Sequence, residues 1–219
     1  MAHVITRPSL LPMAGAVLTA LVAAALGLAA AGVVVPVAVV GWPHEEQRIP
    51  VAELWCVCAA SAGAWWNRPR LWVWERLGGA RTRLRAAAVA AVGVALPVLA
   101  ALAVLPAAAA AEHRWLMVTN VLFTASAVYL LAPFLGPVVA GAATLTGVFA
   151  GAVACNLAPG LNRVVPYAYA GGDGWVVPDL LPAGAVPGLA AAVALAAVAV
   201  HAATRGTTAR VHLGGEAER

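Results

Sequence analysis

Few side chains in this sequence could do chemistry, and Glu53 is foremost among them. It stands in V-A-E-L-W-C-V-C (51–58), a carboxylate set within an apolar run. Burying a charge in such surroundings is costly, so an acid there either lines a pathway for substrate or protons or reaches back to a polar boundary about one helical turn away. Asn120 and Thr124, with Thr119 and Ser126, fall in a second apolar run, and Thr144 and Asn156, with Thr146, in a third. Small polar groups at such places hydrogen-bond between helices. Together with Glu53, the residues Asn120, Thr124, Thr144 and Asn156 make a candidate conduit lining. Other constellations are incomplete. His201 is a lone histidine near the end of a run, read as interfacial, and H-E-E (44–46) would need ligands from elsewhere, such as His113, to hold a metal. Cys56 and Cys58 form C-x-C rather than C-x-x-C, and Cys155 stands alone, so all three read as small packing residues. Neither a catalytic group nor a metal site is expected.

The positive charge is concentrated. The stretch WWNRPRLWVWERLGGARTRLR (65–85) holds Arg68, Arg70, Arg76, Arg81, Arg83 and Arg85, in a chain with 13 arginines and no lysine. Pro69 suits the first turn of a short helix, and Gly78-Gly79 stops it. Arg70, Leu71, Trp72, Trp74, Glu75, Arg76 and Leu77 would then lie at a membrane interface. There they serve either as a topology anchor or as a docking element for a soluble partner.

Positioning these groups falls to apolar segments. Hydrophobic residues make up 63% of the 219, charged residues 10%, and mean hydropathy is +0.90. A water-soluble domain carries roughly 25% charged residues, so the composition specifies an all-α integral membrane protein. Six spans are expected, at about 13–41, 49–66, 86–111, 115–134, 137–158 and 181–203. Residues 1–12 would form an interfacial segment and 204–219 a cytoplasmic tail. With the amino terminus inside, the inner segments hold Arg7, Arg68, Arg70, Arg76, Arg81, Arg83, Arg85, Arg205, Arg210 and Arg219. The outer ones hold Arg48, Arg114 and Arg163. This is a positive-inside bias with both termini cytoplasmic. Trp42, Trp115 and Trp175 would mark the outer interface, and Trp65 and Trp66 the inner one. A net charge of +4 confined to loops argues against a nucleic-acid partner. The outer segment 159–180 is half apolar and reads as two half-helices that dip into the membrane and return, which requires cover by protein or water.

Six spans, a basic helical loop after the second and a semi-apolar hairpin before the sixth resemble the ABC-2-type permease subunits of ABC exporters. W-E-R-L-G-G (74–79) looks like that family's coupling region. Glu53-Leu54 opening span two, the E-R and R-x-R that follow it, and Trp175 with Leu180-Leu181-Pro182 entering span six are similar to small permeases of high-GC actinobacteria. The resemblance implies a coupling helix over 69–77 that docks on an ATPase, an amphipathic segment near Val4–Pro12, and a re-entrant hairpin before span six, with Tyr167, Tyr169 and Trp175 as an outer gate. It further implies two ATPase copies carrying ATP and Mg, a second permease copy, membrane lipids as surroundings, and the bacterial cell membrane as location. No G-x-x-x-x-G-K-[ST] is present, so the ATPase would be a separate chain. The cargo would be amphipathic: a lipid, a peptide or a secondary metabolite.

Two other classes remain open. The substrate-binding subunit of a vitamin importer also has about six spans, with small residues at every fourth place in its first, and Ala25 to Ala29 would fit. An intramembrane enzyme would need more. A rhomboid-like protease requires G-x-S-G, but Ser126 stands in T-A-S-A, and a phosphatidyltransferase needs an aspartate cluster where this chain has only Asp173 and Asp179.

Overall fold

The computed structural model describes residues 11–38, 47–68, 79–107, 114–158, 160–161, 165 and 185–206. These are mostly helical. In chain order they form α1 (Leu11–Ala29), β1 (Val34–Val37), β2 (Gln47–Pro50), α2 (Val51–Trp66), α3 (Ala80–Val104) with a 3-10 turn (Leu105–Ala107), α4 (Arg114–Leu135), α5 (Pro137–Leu157) and α6 (Ala185–Thr204). Four segments are long and apolar enough to cross a membrane: Ala80–Ala107, Leu116–Leu135, Pro137–Leu157 and Ala185–Thr204. Such helices fit a multi-pass membrane protein. The apolar part of α1, Met13–Ala29, is shorter, and α2 has 16 residues.

The first expected span, 13–41, is corrected. The helix ends at Ala29, Gly32 turns with φ +84°, and Val34–Val37 pairs antiparallel with Gln47–Pro50, Val35 opposite Ile49 and Val37 opposite Gln47. Three consecutive valines favour the pleated backbone, and Pro36 is tolerated because each strand of a two-stranded ladder is an edge. The all-α expectation therefore gains a β-hairpin. The third span also shifts, from 86–111 to Ala80–Val104. Arginine is a good helix former, so the basic residues join the helix, while Pro106 sits where the α-helix has given way to the 3-10 turn.

Neighbouring helices run antiparallel and approach closely through small residues. A side-chain carbon added to Gly15 would lie 2.7 Å from the Trp66 ring, and one added to Gly27 would lie 2.9 Å from Val104 and 3.6 Å from Ala52. The start of α1 thus meets the end of α2, and its end meets the start of α2. Ser61 donates a 2.9 Å hydrogen bond to the Pro137 carbonyl, between α2 and α5. It reaches that carbonyl because Gly141, one turn along, has no Cβ, which would stand 2.5 Å from Ser61 Oγ. Gly136 (φ +84°) alone separates α4 from α5, its N–H closing α4 on the Ala132 carbonyl. α2, α3 and α4 are central. α1 packs on α2 and α3, α5 on α2 and α4, and α6 on α3 and α4. One end of the bundle carries the hairpin and the other the basic residues Arg68, Arg81, Arg83, Arg85 and Arg205.

Candidate functional site

Glu53 enters the bundle directly from the hairpin. β2 presents alternate residues inward, so Gln47 and Ile49 are buried while Arg48 is only partly so. Pro50 occupies the N-cap of α2 with φ −63° and ψ 128°. Glu53 is then the third helical residue, where the positive end of the helix dipole favours a carboxylate. Its side chain is 5% exposed.

The neighbours on either side of Glu53 fix what it faces. Ala52 and Cys56 pack with Ala101, Val104, Met117 and Val121, so this part of α2 lies on the first turns of α4. Leu54 packs against the cluster of Ile49, Val148 and Ala152, so its other flank lies on the later turns of α5. The polar residues of those turns, Asn120 on α4 and Asn156 on α5, are 2% and 1% exposed. Glu53, Asn120 and Asn156 therefore occupy the same end of three mutually packed helices, beneath a strand that adds the inward Gln47. Farther in, Thr124 and Thr144 are also buried. The Thr124 hydroxyl donates to the Asn120 carbonyl at 2.9 Å, and that of Thr144 to the Ala140 carbonyl at 2.9 Å. Both protons are thus spent on the residue's own helix, and only oxygen lone pairs face neighbouring helices. The arrangement can neutralise or hydrogen-bond a polar group held within an apolar bundle.

All five residues expected to line a conduit are buried. The expected docking residues Arg70, Leu71, Trp72, Trp74, Glu75, Arg76 and Leu77 lie outside the described residues, as do Tyr167, Tyr169 and Trp175. Cys56, Cys58 and Cys155 are free thiols, with Cys56 packed in the core.

A second polar locus lies toward the basic end. Tyr129 is buried, and its hydroxyl lies in a notch between Gly63 of α2 and Gly93 of α3; a Cβ on Gly63 would be 3.1 Å from it. The hydroxyl makes no hydrogen bond of good geometry. The Asn67 amide faces it but donates to the Gly63 carbonyl instead, at 2.9 Å. The Tyr129 ring packs at 5.5 Å against the His201 ring. His201, expected at the interface, is buried, and its Nδ1 lies 3.1 Å from the Ala197 carbonyl. A carbonyl only accepts, so that nitrogen carries the proton. The Ser126 hydroxyl is also buried without a partner. Sequence reasoning passed over Gln47 and Tyr129. The alternation of Q-R-I-P pointed to an inward Gln47, whereas the Tyr129 notch is built by glycines on two other helices and has no local signature.

No protein-family model matches this chain, and no curated protein and no solved structure matches it.

Proposed function

We propose that this chain is the membrane-spanning permease subunit of an ATP-driven exporter. In this reading α1 and α2 cross the membrane together with the four longer helices. That gives six spans with both termini on the cytoplasmic side of a bacterial cell membrane. A second permease copy completes the conduit, and two copies of a separate ATPase, carrying ATP and Mg, dock on residues 69–77 at the basic end. The chain itself performs no chemistry. Cargo is amphipathic, of the lipid, peptide or secondary-metabolite kind.

The observation that carries the reading is the burial of Glu53, Asn120 and Asn156 together where α2, α4 and α5 meet. A carboxylate and two amides are an expensive way to fill an apolar bundle and useful for a polar headgroup in transit. The Ser61–Pro137 bond and the Tyr129 notch tie α2 to α5, α4 and α3. A push on the segment between α2 and α3 would therefore be felt at the conduit, a shift between two packings rather than a chemical step.

The test is co-purification. Tagged chain extracted from its native membrane should bring down an ATP-hydrolysing protein, and Glu75→Arg should abolish the association while leaving membrane insertion intact. A chain that purifies without any ATPase under mild extraction, or a Glu75→Arg variant that retains it, overturns the reading.

A further inference from the structure

The first turns of α3 are built against ordinary helix electrostatics. Arg81, Arg83 and Arg85 crowd the amino end of the helix, where the exposed N–H groups already carry positive partial charge. No acidic residue stands in that turn, and the N-cap, Gly79, offers no side-chain hydrogen bond. All three arginines are exposed. Such an arrangement is adverse alone and favourable once an anion is present.

The helix surface separates the three. Arg83 precedes Ala90, Pro97 and Val104 at intervals of seven, and those three are buried, so Arg83 belongs to the face turned toward the bundle. Arg81 and Arg85, one turn apart, belong to the opposite face. That face continues through Leu84, Ala88, Ala91, Ala95 and Leu99, all exposed. This is the side a membrane helix gives to lipid. From Arg85 to Val104 the helix rises about 30 Å, the depth of the hydrocarbon core. The two guanidiniums therefore lie at headgroup level above a shallow alanine-lined track. Trp65 and Trp66 are exposed at the end of the adjoining α2, and the Arg68 guanidinium covers the Trp65 ring at 3.6 Å. Indoles of this kind favour the membrane interface.

We propose that Arg81 and Arg85 form a binding site for an anionic phospholipid. Its phosphate bridges the two guanidiniums and neutralises the amino end of α3, and one acyl chain lies along Ala88, Ala91 and Ala95. Charge complementarity selects the anionic headgroup, and the continuity of the pair with the lipid-facing track selects a lipid over a soluble anion. The site requires only that α3 cross a bilayer; it does not depend on the transport reading.

The experiment uses the full-length chain reconstituted in nanodiscs of equal parts phosphatidylglycerol and phosphatidylcholine, with retained lipids counted by native mass spectrometry. The wild-type chain should retain phosphatidylglycerol over phosphatidylcholine. Each arginine near an anionic headgroup contributes about a fivefold preference, so Arg81→Gln with Arg85→Gln should lower that preference by roughly thirtyfold. Arg83→Gln, on the other face, should leave it unchanged. Equal retention of the two lipids by the wild-type chain, which needs no variant, overturns the proposal. So does an Arg83→Gln variant that loses as much as the pair, or full displacement of the retained lipid by inorganic phosphate.

Discussion

Tyr129 gives the sharpest stability prediction because a single added methyl group should reverse its effect with context. A Cβ on Gly93 would run into the Tyr129 hydroxyl and the ring carbon that bears it, with a further ring carbon 2.7 Å away. The ring cannot retreat easily, since Gly63 lies beyond its hydroxyl and His201 beside it. Overpacking of this kind costs about 1–3 kcal/mol, and contact with three atoms of a rigid ring belongs at the upper end. Replacing glycine by alanine inside a helix returns about 1 kcal/mol. Gly93→Ala should therefore destabilise the bundle by about 2 kcal/mol. In a Tyr129→Ala background the obstacle is gone, and the same substitution should become neutral or stabilising by up to about 1 kcal/mol. The coupling between the two sites is then about 2–3 kcal/mol. Reversible unfolding in mixed micelles, run on the four members of the cycle, measures it. Equal effects of Gly93→Ala in both backgrounds would refute the notch.

Other substitutions test the remaining contacts by the same unfolding assay. Gly141→Ala should cost about 1–2 kcal/mol by displacing Ser61 from the Pro137 carbonyl, while Ser61→Ala, which removes only that interhelical bond, should cost roughly 0.6 kcal/mol. Gly136→Ala meets no neighbouring atom but holds a φ of +84° and ψ of 155°, so its cost of about 1–3 kcal/mol is purely conformational. Glu53→Gln, which keeps the shape and one acceptor oxygen while turning the other into a donor amide, should change stability by less than about 1 kcal/mol, whereas Glu53→Leu should lose about 1–3 kcal/mol by stripping its buried surroundings of a polar partner.

Much of the helical framework could be read in the sequence because it is written in length and apolarity alone. The segments that became α3 to α6 satisfy a simple physical requirement, roughly 20 residues to cross the hydrocarbon. That criterion fails where an apolar run changes backbone geometry without changing polarity. Gly32-Val33-Val34-Val35-Pro36 is as oily as the helix before it, so hydropathy extends the span straight through β1. The β-branched run and the flanking Gly and Pro were the signals that separate the two. The start of α3 shows the reverse error. A hydropathy window stops at the arginines, although their backbones suit a helix.

The candidate site was legible as chemistry and not as geometry. Glu53, Asn120 and Asn156 stand out because polar groups in apolar runs are expensive. That they share one end of three packed helices follows from which neighbours Ala52, Leu54 and Cys56 meet, and only tertiary structure supplies those. Tyr129 was invisible for a related reason: an aromatic residue in an apolar run looks like ordinary core until the glycines of two other helices are brought against its hydroxyl.

The proposed permease requires a six-crossing bundle whose basic end faces the cytoplasm. The direct measurement is thiol labelling of intact cells, in a background lacking Cys56, Cys58 and Cys155, with single cysteines introduced at Gly79 and at Gly160, both exposed and at opposite ends of the bundle. The position at 160 should label from outside, and the position at 79 should react only after the membrane is permeabilised. Labelling at 79 in intact cells, or protection at 160, would contradict the proposed topology.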